Sequence, residues 1–377
     1  MYYQTTNKVT SLTNNLVPYQ LFQRSFLWSC GYNGYGQLGL SDNVSRSTFT
    51  SVPFINNVKA IDTGYNHSIA LTTDGTVWTC GRNTDGQLGV GNIVSLKSTF
   101  TSVPGLSNVK TISGGTTHSI ALKTDGTVWA VGNNGSGQLG LSDNVNRSTF
   151  QSVPIINNIK SIVGGSNHSI ALKTDGTVWT CGYNNPGNLG LSDIVNRSTF
   201  TSVPGLSSIK AISGGGSNMS IALKSDGTVW TVGQNNNGQL GLSDIIKRST
   251  FTSVPGLSDV KYIACGNNFS IALKTDGTVW TVGDNGSGQL GLSDIIKRST
   301  FTSVPGLTGV KSIAGGMYNI IASKTDGTVW TVGDNANGQL GLSNIIGRST
   351  FTSVPGLSNV KSMDIGNYHI LAWTRME

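Results

Sequence analysis

The sequence predicts an all-β fold, a seven-bladed β-propeller whose blades are four-stranded antiparallel sheets. Tryptophan recurs about every fifty residues, and a glycine-rich run ending in Leu-Gly follows it in each unit. Each unit holds four short strand-like runs, and no segment shows helical 3.6-residue periodicity over a useful length. Closing such repeats into a ring protects sheet edges. The recurring tryptophans are Trp28, Trp78, Trp129, Trp179, Trp230, Trp280 and Trp330.

The unit from 109 to 153 shows the four predicted strands in order. The first, Val109–Ser113, mixes β-branched and small residues and stops at a Gly-Gly pair. The second, Ser119–Leu122, alternates small and large residues, which places its large side chains on one face. The third is Thr127–Val131, and the fourth, Ser148–Val153, ends before a proline. An Asp-Gly pair between the second and third strands predicts a two-residue type I′ hairpin, in which both central residues have positive φ.

The two ends of the chain are complementary. The first unit begins at its third strand, Ser25–Cys30, and its missing half recurs at the other end as Val360–Met363 and Tyr368–Trp373. We therefore expect one blade to combine N-terminal and C-terminal strands and to close the ring. On this interpretation residues 25–377 form the propeller and residues 1–24 a non-repeat arm or leader. That segment is either disordered or an arm that lies on the propeller or on a partner, where it would anchor the protein in a larger assembly.

The repeat resembles that of the regulator of chromosome condensation family. The resemblance rests on Asn167–Trp179, on the glycine-rich segment Gly132–Gly140 and on their counterparts, and it covers residues 25 to 373. WD repeats are shorter, at roughly 40 to 45 residues, and kelch repeats lack the Gly-Gln-Leu-Gly run. The resemblance implies guanine-nucleotide exchange on a small GTPase, with chromatin binding. The regular spacing leaves no room for the protruding wedge of such an exchange factor, and the first 24 residues are not a basic tail.

Composition and residue placement argue against an enzyme. The four histidines occupy the same place in their units, so symmetry spreads them around a ring instead of gathering them at one site. There is no CxxC motif, and Cys30, Cys80 and Cys181 stand where other units have valine, as small core residues would. We expect no catalytic residue, cofactor or metal. No signal peptide is recognisable and no apolar run approaches membrane-spanning length, so the cellular location stays open.

The net charge of +7 comes largely from residues that recur once in each unit. A ring of positive charge either favours an acidic partner or nucleic acid, or consists of ordinary solvated positions. Nucleic acid is not expected, because no basic run is present. The recurring positions are Lys59, Lys110, Lys160, Lys210, Lys261, Lys311 and Lys361, and Arg46, Lys97, Arg147, Arg197, Arg248, Arg298 and Arg348.

Variation among the units concentrates in two loops, which follow the first and third strands and therefore emerge on the same side of an antiparallel meander. These loops carry large aromatic, Met and Arg side chains of the kinds enriched at protein interfaces. The face either binds a partner or reflects free drift of loop tips. The residues predicted to contact a partner are Tyr32, Tyr35, Tyr65, Arg82, Tyr183, Met317, Tyr318 and Tyr368.

Three functions are compatible with this pattern. The first is a non-enzymatic protein-interaction or structural assembly module, with a surface or virion component of a bacterial virus as one form. This hypothesis follows from the low charge, the richness in Asn, Ser, Thr and Gly, and the near-identical units. The second, implied by the resemblance, is an exchange factor-like regulator of a small GTPase. The third is a propeller-type enzyme inhibitor that uses its loop-rich face.

Overall fold

Seven four-stranded antiparallel sheets surround a common axis and form a seven-bladed β-propeller, as the sequence predicts. The structure is a computed structural model that describes residues 25–216 and 218–375. The predicted arm, residues 1–24, lies outside the described residues. Within these ranges no helix has the length and apolar character of a membrane span.

The strands of each blade are numbered in chain order. Blade 1 contains β1 (Ser25–Gly31), β2 (Arg46–Ser51), β27 (Val360–Ile365) and β28 (His369–Arg375). Blade 2 contains β3 (Val58–Thr63), β4 (His67–Thr72), β5 (Val77–Arg82) and β6 (Leu96–Ser102). Blade 3 contains β7 (Val109–Gly114), β8 (His118–Lys123), β9 (Val128–Gly132) and β10 (Arg147–Ser152). Blade 4 contains β11 (Ile159–Gly164), β12 (His168–Lys173), β13 (Val178–Gly182) and β14 (Arg197–Ser202).

The remaining blades follow the same plan. Blade 5 contains β15 (Ile209–Gly214), β16 (Met219–Lys224), β17 (Val229–Gly233) and β18 (Arg248–Ser253). Blade 6 contains β19 (Val260–Cys265), β20 (Phe269–Lys274), β21 (Val279–Gly283) and β22 (Arg298–Ser303). Blade 7 contains β23 (Val310–Gly315), β24 (Asn319–Lys324), β25 (Thr328–Gly333) and β26 (Arg348–Ser358).

Blade 1 closes the ring by joining the two ends of the chain. Strands β1 and β28 pair antiparallel from Ser25 opposite Arg375 to Gly31 opposite His369. The order β2-β1-β28-β27 places two N-terminal strands outside two C-terminal ones. This arrangement confirms the closure predicted from the complementary ends. The two middle strands of the sheet, β1 and β28, come from opposite ends of the chain and pair with each other.

The first strand of each unit is the innermost, which the sequence alone left open. Strands β27, β3, β7, β11, β15, β19 and β23 contact one another in succession around the axis. Loops after the first and third strands emerge on one side of the disc, which we call the loop face. The Asp-Gly hairpins and the connections between blades emerge on the other side, which we call the hairpin face.

The hydrophobic core lies between neighbouring blades. In one of its clusters, Ile69 and Leu71 of β4 pack with Ile112 of β7 and Val131 of β9. Burying one such aliphatic side chain contributes about 1.5–3 kcal/mol before entropic costs. The four cysteines of the described residues are free thiols, and burial raises the pKa of each. Cys30, Cys80 and Cys181 lie in the core as predicted.

The Asp-Gly hairpins differ from the predicted type I′ turn. Gly126 has φ +83°, whereas Asp125 is not among the residues with positive φ. The amide of Gly126 donates to the carbonyl of Lys123, and a second bond from Lys123 to the Thr127 carbonyl closes a three-residue loop. This is a type I turn followed by a left-handed glycine. The Asp125 carboxylate accepts the amide and hydroxyl of Thr127, which stabilises the observed geometry.

The glycine-rich loop after the third strand packs each blade against the next. A Cβ atom on Gly137, whose φ is +82°, would lie 2.5 Å from the Cα of Ser198 in blade 4. The loop is held from within by buried Asn134, whose side-chain oxygen accepts the Leu139 amide at 2.9 Å. Glycine is therefore required where this loop meets the outer strand of the neighbouring blade.

Candidate protein-binding face

The structure places the eight predicted contact residues on the loop face, seven in loops and Arg82 at the end of β5, but it does not bring all of them together. Tyr183 lies in blade 4, directly after β13. The other seven belong to blades 7, 1 and 2, which are neighbours in the ring. We call these seven the tyrosine surface: Tyr32, Tyr35, Tyr65, Arg82, Met317, Tyr318 and Tyr368.

One half of the tyrosine surface lies at the rim of the central channel. The rings of Tyr318 and Tyr368 are 6.3 Å apart and inclined by 36°. The hydroxyl of Tyr65 donates to the Met317 sulfur at 3.6 Å, across the junction that blade 1 closes. These contacts join the loops of three blades into one continuous patch.

The other half lies farther from the axis. The rings of Tyr32 and Tyr35 meet edge to face at 6.2 Å, and the Arg82 guanidinium lies 5.7 Å from the centre of the Tyr35 ring. The backbone amide of Tyr32 donates to the carbonyl of Tyr368 at 2.7 Å, which links the two halves. Such contacts hold aromatic side chains in fixed orientations and reduce the entropy lost when a partner binds.

All seven side chains of the tyrosine surface are half-buried. Burial raises the pKa of Tyr318, and the nearby Tyr65, Asp284 and Asp334 raise it further. Burial also raises the pKa of Tyr368, with smaller effects from Tyr318 and Tyr65. Both hydroxyls therefore stay protonated well above neutral pH and remain able to donate hydrogen bonds.

The mouth of the central channel on the loop face is a shallow cavity of about 110 Å³. Glycines line it, and Tyr65 and Met317 stand at its edge. Larger residues would not fit at these positions, because a Cβ atom would meet either a side chain of the same blade or the backbone of a neighbouring blade. A Cβ atom on Gly115 would lie 2.4 Å from Nδ1 of His118, for example.

The four histidines form bonds between blades that the sequence analysis did not foresee. His118 Nε2 lies 3.1 Å from Ser169 Oγ of the next blade, and that hydroxyl donates to the Gln138 carbonyl at 2.6 Å. Since the serine proton is engaged, Nε2 carries the imidazole proton and donates it. The same pairing joins His67 to Ser119, His168 to Ser220 and His369 to Ser68.

These histidines join neighbouring blades. Each is buried, and burial lowers the pKa of His67, His118 and His369 to about 3 and that of His168 to about 4. Neighbouring histidines add to the effect at His67 and His118. In the described part of the chain, no three His, Cys, Asp or Glu side chains are grouped so that they could hold a metal ion.

Two half-buried aspartates on the channel wall were not singled out from the sequence. The Asp364 carboxylate accepts the amide of Thr63 at 2.7 Å and its hydroxyl at 2.6 Å, and Asp62 accepts the Gly114 amide at 2.8 Å. Burial raises the pKa of Asp364 to about 6. Burial and the charge of Asp364 together raise the pKa of Asp62. Each carboxylate joins the inner strands of two blades.

The basic residue before each outer strand is neutralised in five blades. Arg147 Nη2 lies 2.5 Å from Asp143 Oδ2, for instance, within the same loop. Arg46, Arg197, Arg248 and Arg298 form the equivalent ion pairs. In blade 7 the position of the aspartate is occupied by Asn344. In blade 2 it is occupied by Asn92, and Lys97 takes the place of the arginine. The basic residues of the outer strands therefore do not produce the ring of positive potential that the sequence suggested.

Excess positive charge is instead concentrated on the hairpin face. Among the described residues, basic side chains there outnumber acidic ones almost two to one, whereas elsewhere the two kinds are equal in number. The basic residues are Lys59, Lys110, Lys123, Lys160, Lys173, Lys210, Lys224, Lys261, Lys274, Lys311, Lys324, Lys361 and Arg375. The acidic residues are Asp74, Asp125, Asp175, Asp226, Asp259, Asp276 and Asp326.

The fold and its glycine-rich interblade loops define a seven-bladed propeller of fifty-residue repeats. A model described as the RCC1-like domain matches residues 108–305, and models described as the regulator of chromosome condensation (RCC1) repeat match residues 26–71, 58–87, 74–122 and 326–373. The chain belongs to this RCC1 family. The resemblance predicted from the sequence is thereby confirmed.

Solved structures show the same fold at low sequence identity. Yeast RCC1 (Prp20) bound to Kap60 matches with 19% identity and a TM-score of 0.86, covering 100% of this chain and 97% of its own. Prp20p from Saccharomyces cerevisiae, described with its binding properties to Gsp1p and histones, has 21% identity, a TM-score of 0.85 and coverages of 94% and 92%. Human WBSCR16 has 21% identity, a TM-score of 0.83 and coverages of 93% and 98%.

Proposed function

We propose that this protein is a non-enzymatic recognition module that binds a protein partner through the tyrosine surface. The observation that carries the proposal is the concentration of large side chains on blades 7, 1 and 2. The repeat units are otherwise almost alike, so free drift of loop tips would scatter such residues over all seven blades. Blades 3 to 6 have mainly small polar residues at the same positions, among them Thr116, Asn133, Ser166 and Asn267.

The chemistry of the patch suits a protein ligand. Tyrosine and methionine offer apolar area together with hydroxyl donors, and Arg82 adds a planar cation that favours a carboxylate. The rings are already held against one another, so binding orders few side chains. The shallow mouth beside Tyr65 and Met317 provides a recess for one side chain of the partner.

Regulation of a small GTPase is the second candidate. Support for it comes from the likeness in fold to Prp20p, which is described with its binding to Gsp1p. The finer alternatives, enzyme inhibition and a role in a bacterial virus particle, stay predictions from the sequence, because none of the matches described above bears on them. The predicted anchoring arm at residues 1–24 likewise stays a proposal.

Affinity capture from the source material, followed by mass spectrometry, tests the proposal. The bait proteins are the full chain, the double variant Tyr35→Ala/Tyr318→Ala, and Tyr183→Ala as a matched loop-face control from blade 4. We expect the wild type and Tyr183→Ala to capture the same partners. The double variant should not capture them. Equal capture by all three baits would contradict the tyrosine surface as the binding site.

A nucleotide-release assay separates the two candidate functions. A small GTPase loaded with a fluorescent guanine nucleotide is mixed with the wild type or with the double variant. Accelerated release by the wild type would establish the GTPase alternative. Capture of a partner without any acceleration supports a recognition module alone.

A further inference from the structure

A polar cavity of about 190 Å³ opens on the hairpin face between blades 7 and 1. Three lysines, Lys311, Lys324 and Lys361, line it together with Ser323 and Asp326. The cavity lies on the opposite side of the disc from the tyrosine surface, so nothing in the proposed recognition function makes use of it.

The cavity exists because one residue departs from the repeat. Ser323 stands on β24 where the second strands of blades 2 to 6 have a leucine, which is buried in each of them. Those leucines pack against the next blade, as Leu71 does against Val109. The smaller serine leaves space beside Val360, which lines the cavity. The equivalent leucines are Leu71, Leu122, Leu172, Leu223 and Leu273.

The departure also places a hydroxyl donor in the cavity wall. Ser323 is 4% exposed, and its Oγ lies 2.6 Å from Ser312 Oγ of the adjacent strand. When the Ser312 hydroxyl donates to Ser323, the proton of Ser323 is left to donate into the cavity. A buried hydroxyl pair with one spare donor is suited to a ligand that accepts hydrogen bonds.

The charges in the wall favour an anion. Lys324 lies over the Trp330 ring at 5.3 Å and 3.8 Å from the Asp326 carboxylate, so it is held in place at the cavity edge. Asp326 is already engaged, because it accepts the amide and the hydroxyl of Thr328. Lys311 and Lys324 against the single carboxylate of Asp326 leave the wall positive, and the excess lysines of the hairpin face reinforce its potential.

We propose that this cavity binds a phosphate group. A phosphate dianion supplies several acceptor oxygens and two negative charges, which match the lysines and the spare hydroxyl donor. The volume accommodates one such group with adjoining water. The group could be inorganic phosphate or the phosphorylated side chain of a protein, and the chemistry of recognition is the same for both.

Isothermal titration calorimetry tests this proposal on the full chain. Sodium phosphate and a short phosphoserine peptide are titrated separately at constant ionic strength, with sodium chloride and the unphosphorylated peptide as controls. We expect saturable one-to-one binding of at least one phosphate ligand, and the ligand that binds more tightly identifies the source. Absence of saturable binding by both would overturn the proposal.

Ser323→Leu is the decisive variant, because it restores the residue of the other blades and fills the cavity without disturbing the repeat. We expect it to keep or raise the Tm and to weaken phosphate binding by roughly tenfold or more. Lys123→Gln, at the position that matches Lys324 in blade 3, should bind like the wild type. Unchanged affinity in folded Ser323→Leu would contradict the assignment of the site.

A second variant keeps the test independent of that substitution. Lys311→Gln/Lys324→Gln removes two charges from exposed or half-exposed positions and should weaken binding while preserving the fold. Equal affinity in this variant would also contradict the proposal. The Tyr35→Ala/Tyr318→Ala protein should bind phosphate normally, so a failure of the tyrosine surface and a failure of the phosphate site can be told apart.

Discussion

His118 in blade 3 donates its Nε2 proton to Ser169 in blade 4 across 3.1 Å, and this bond ties two separate sheets together. At one junction both positions are replaced by apolar residues. Where Phe269 replaces the histidine, the next blade has Ile320 in place of the serine. The same contact between blades is thus made by a polar pair of side chains at some junctions and by an apolar pair at another.

This relationship predicts coupling between the two residues. Ser169→Ile should destabilise the protein by about 1–3 kcal/mol, because it leaves the buried Nε2 proton of His118 unsatisfied. His118→Phe/Ser169→Ile reproduces the Phe269–Ile320 pair and should be more stable than the sum of the single effects by about 1 kcal/mol. Urea unfolding of the wild type, both single variants and the double variant measures the coupling. Additive effects would show that the two side chains act independently.

The buried histidines predict loss of stability in acid. Their pKa values are about 3 to 4 in the folded state and about 6.5 in the unfolded chain. The unfolded state therefore binds more protons below pH 6.5, and stability falls as the pH drops from there toward 3. At pH 5 each histidine accounts for a loss of about 2 kcal/mol.

A single substitution tests this pH dependence. His168→Met places methionine beside a serine of the next blade, as Met219 of blade 5 lies beside Ser270 of blade 6. Urea unfolding between pH 7 and pH 5 should show a smaller decline for the variant than for the wild type, by about 2 kcal/mol. If the free energy of unfolding declined equally in the variant and the wild type, His168 would not be buried in its neutral form.

The channel aspartates predict the opposite trend. The pKa of Asp364 is raised to about 6 by burial, so this group contributes stability below its unfolded value near 3.8 and loses it as the pH rises through 6. Asp364→Asn keeps an acceptor for Thr63 and removes the charge. We expect the variant to be more stable than the wild type at pH 8 and equal to it near pH 4. Because both aspartates retain some exposure to the channel, water moderates the effect.

Two glycines with similar backbone conformation should respond differently to alanine. Gly137 has φ +82° and no room for a Cβ atom beside Ser198, whereas Gly105 has φ +72° and nothing within 4 Å of that position. Phe54 and Ile155 already occupy the place of Gly105 in other connections, at φ 65° and 67°. Gly105→Ala should cost about 1 kcal/mol, and Gly137→Ala should cost at least twice that. Thermal unfolding compares them, and equal losses would contradict the packing argument.

Several features could be predicted from sequence because they repeat. The four strands, the ring closure and the placement of the variable loops follow from periodicity and from the alternation of side chains along a strand. The His118–Ser169 bond could not be predicted in this way, since it joins residues of different sheets. A comparison of the positions where Phe269 and Ile320 replace both partners would have suggested it.

Other features depend on local geometry that periodicity does not encode. The hairpin turn was assigned wrongly because Asp-Gly suits both a type I′ turn and a type I turn followed by a left-handed glycine. The gathering of Tyr32, Tyr65 and Tyr318 in one sector of the loop face follows only once the ring is closed, because blades 7 and 2 lie far apart in the chain. Tyr183 lies on the same face but in blade 4, which is outside this sector.

The most direct test of the proposed function is the dissociation constant of the captured partner. Biolayer interferometry with the wild type, Tyr35→Ala/Tyr318→Ala and Tyr183→Ala measures it under identical conditions. The account predicts a loss of affinity of about tenfold or more for the double variant and less than about twofold for Tyr183→Ala. Equal affinities for all three proteins, with the folded state confirmed by circular dichroism, would contradict it.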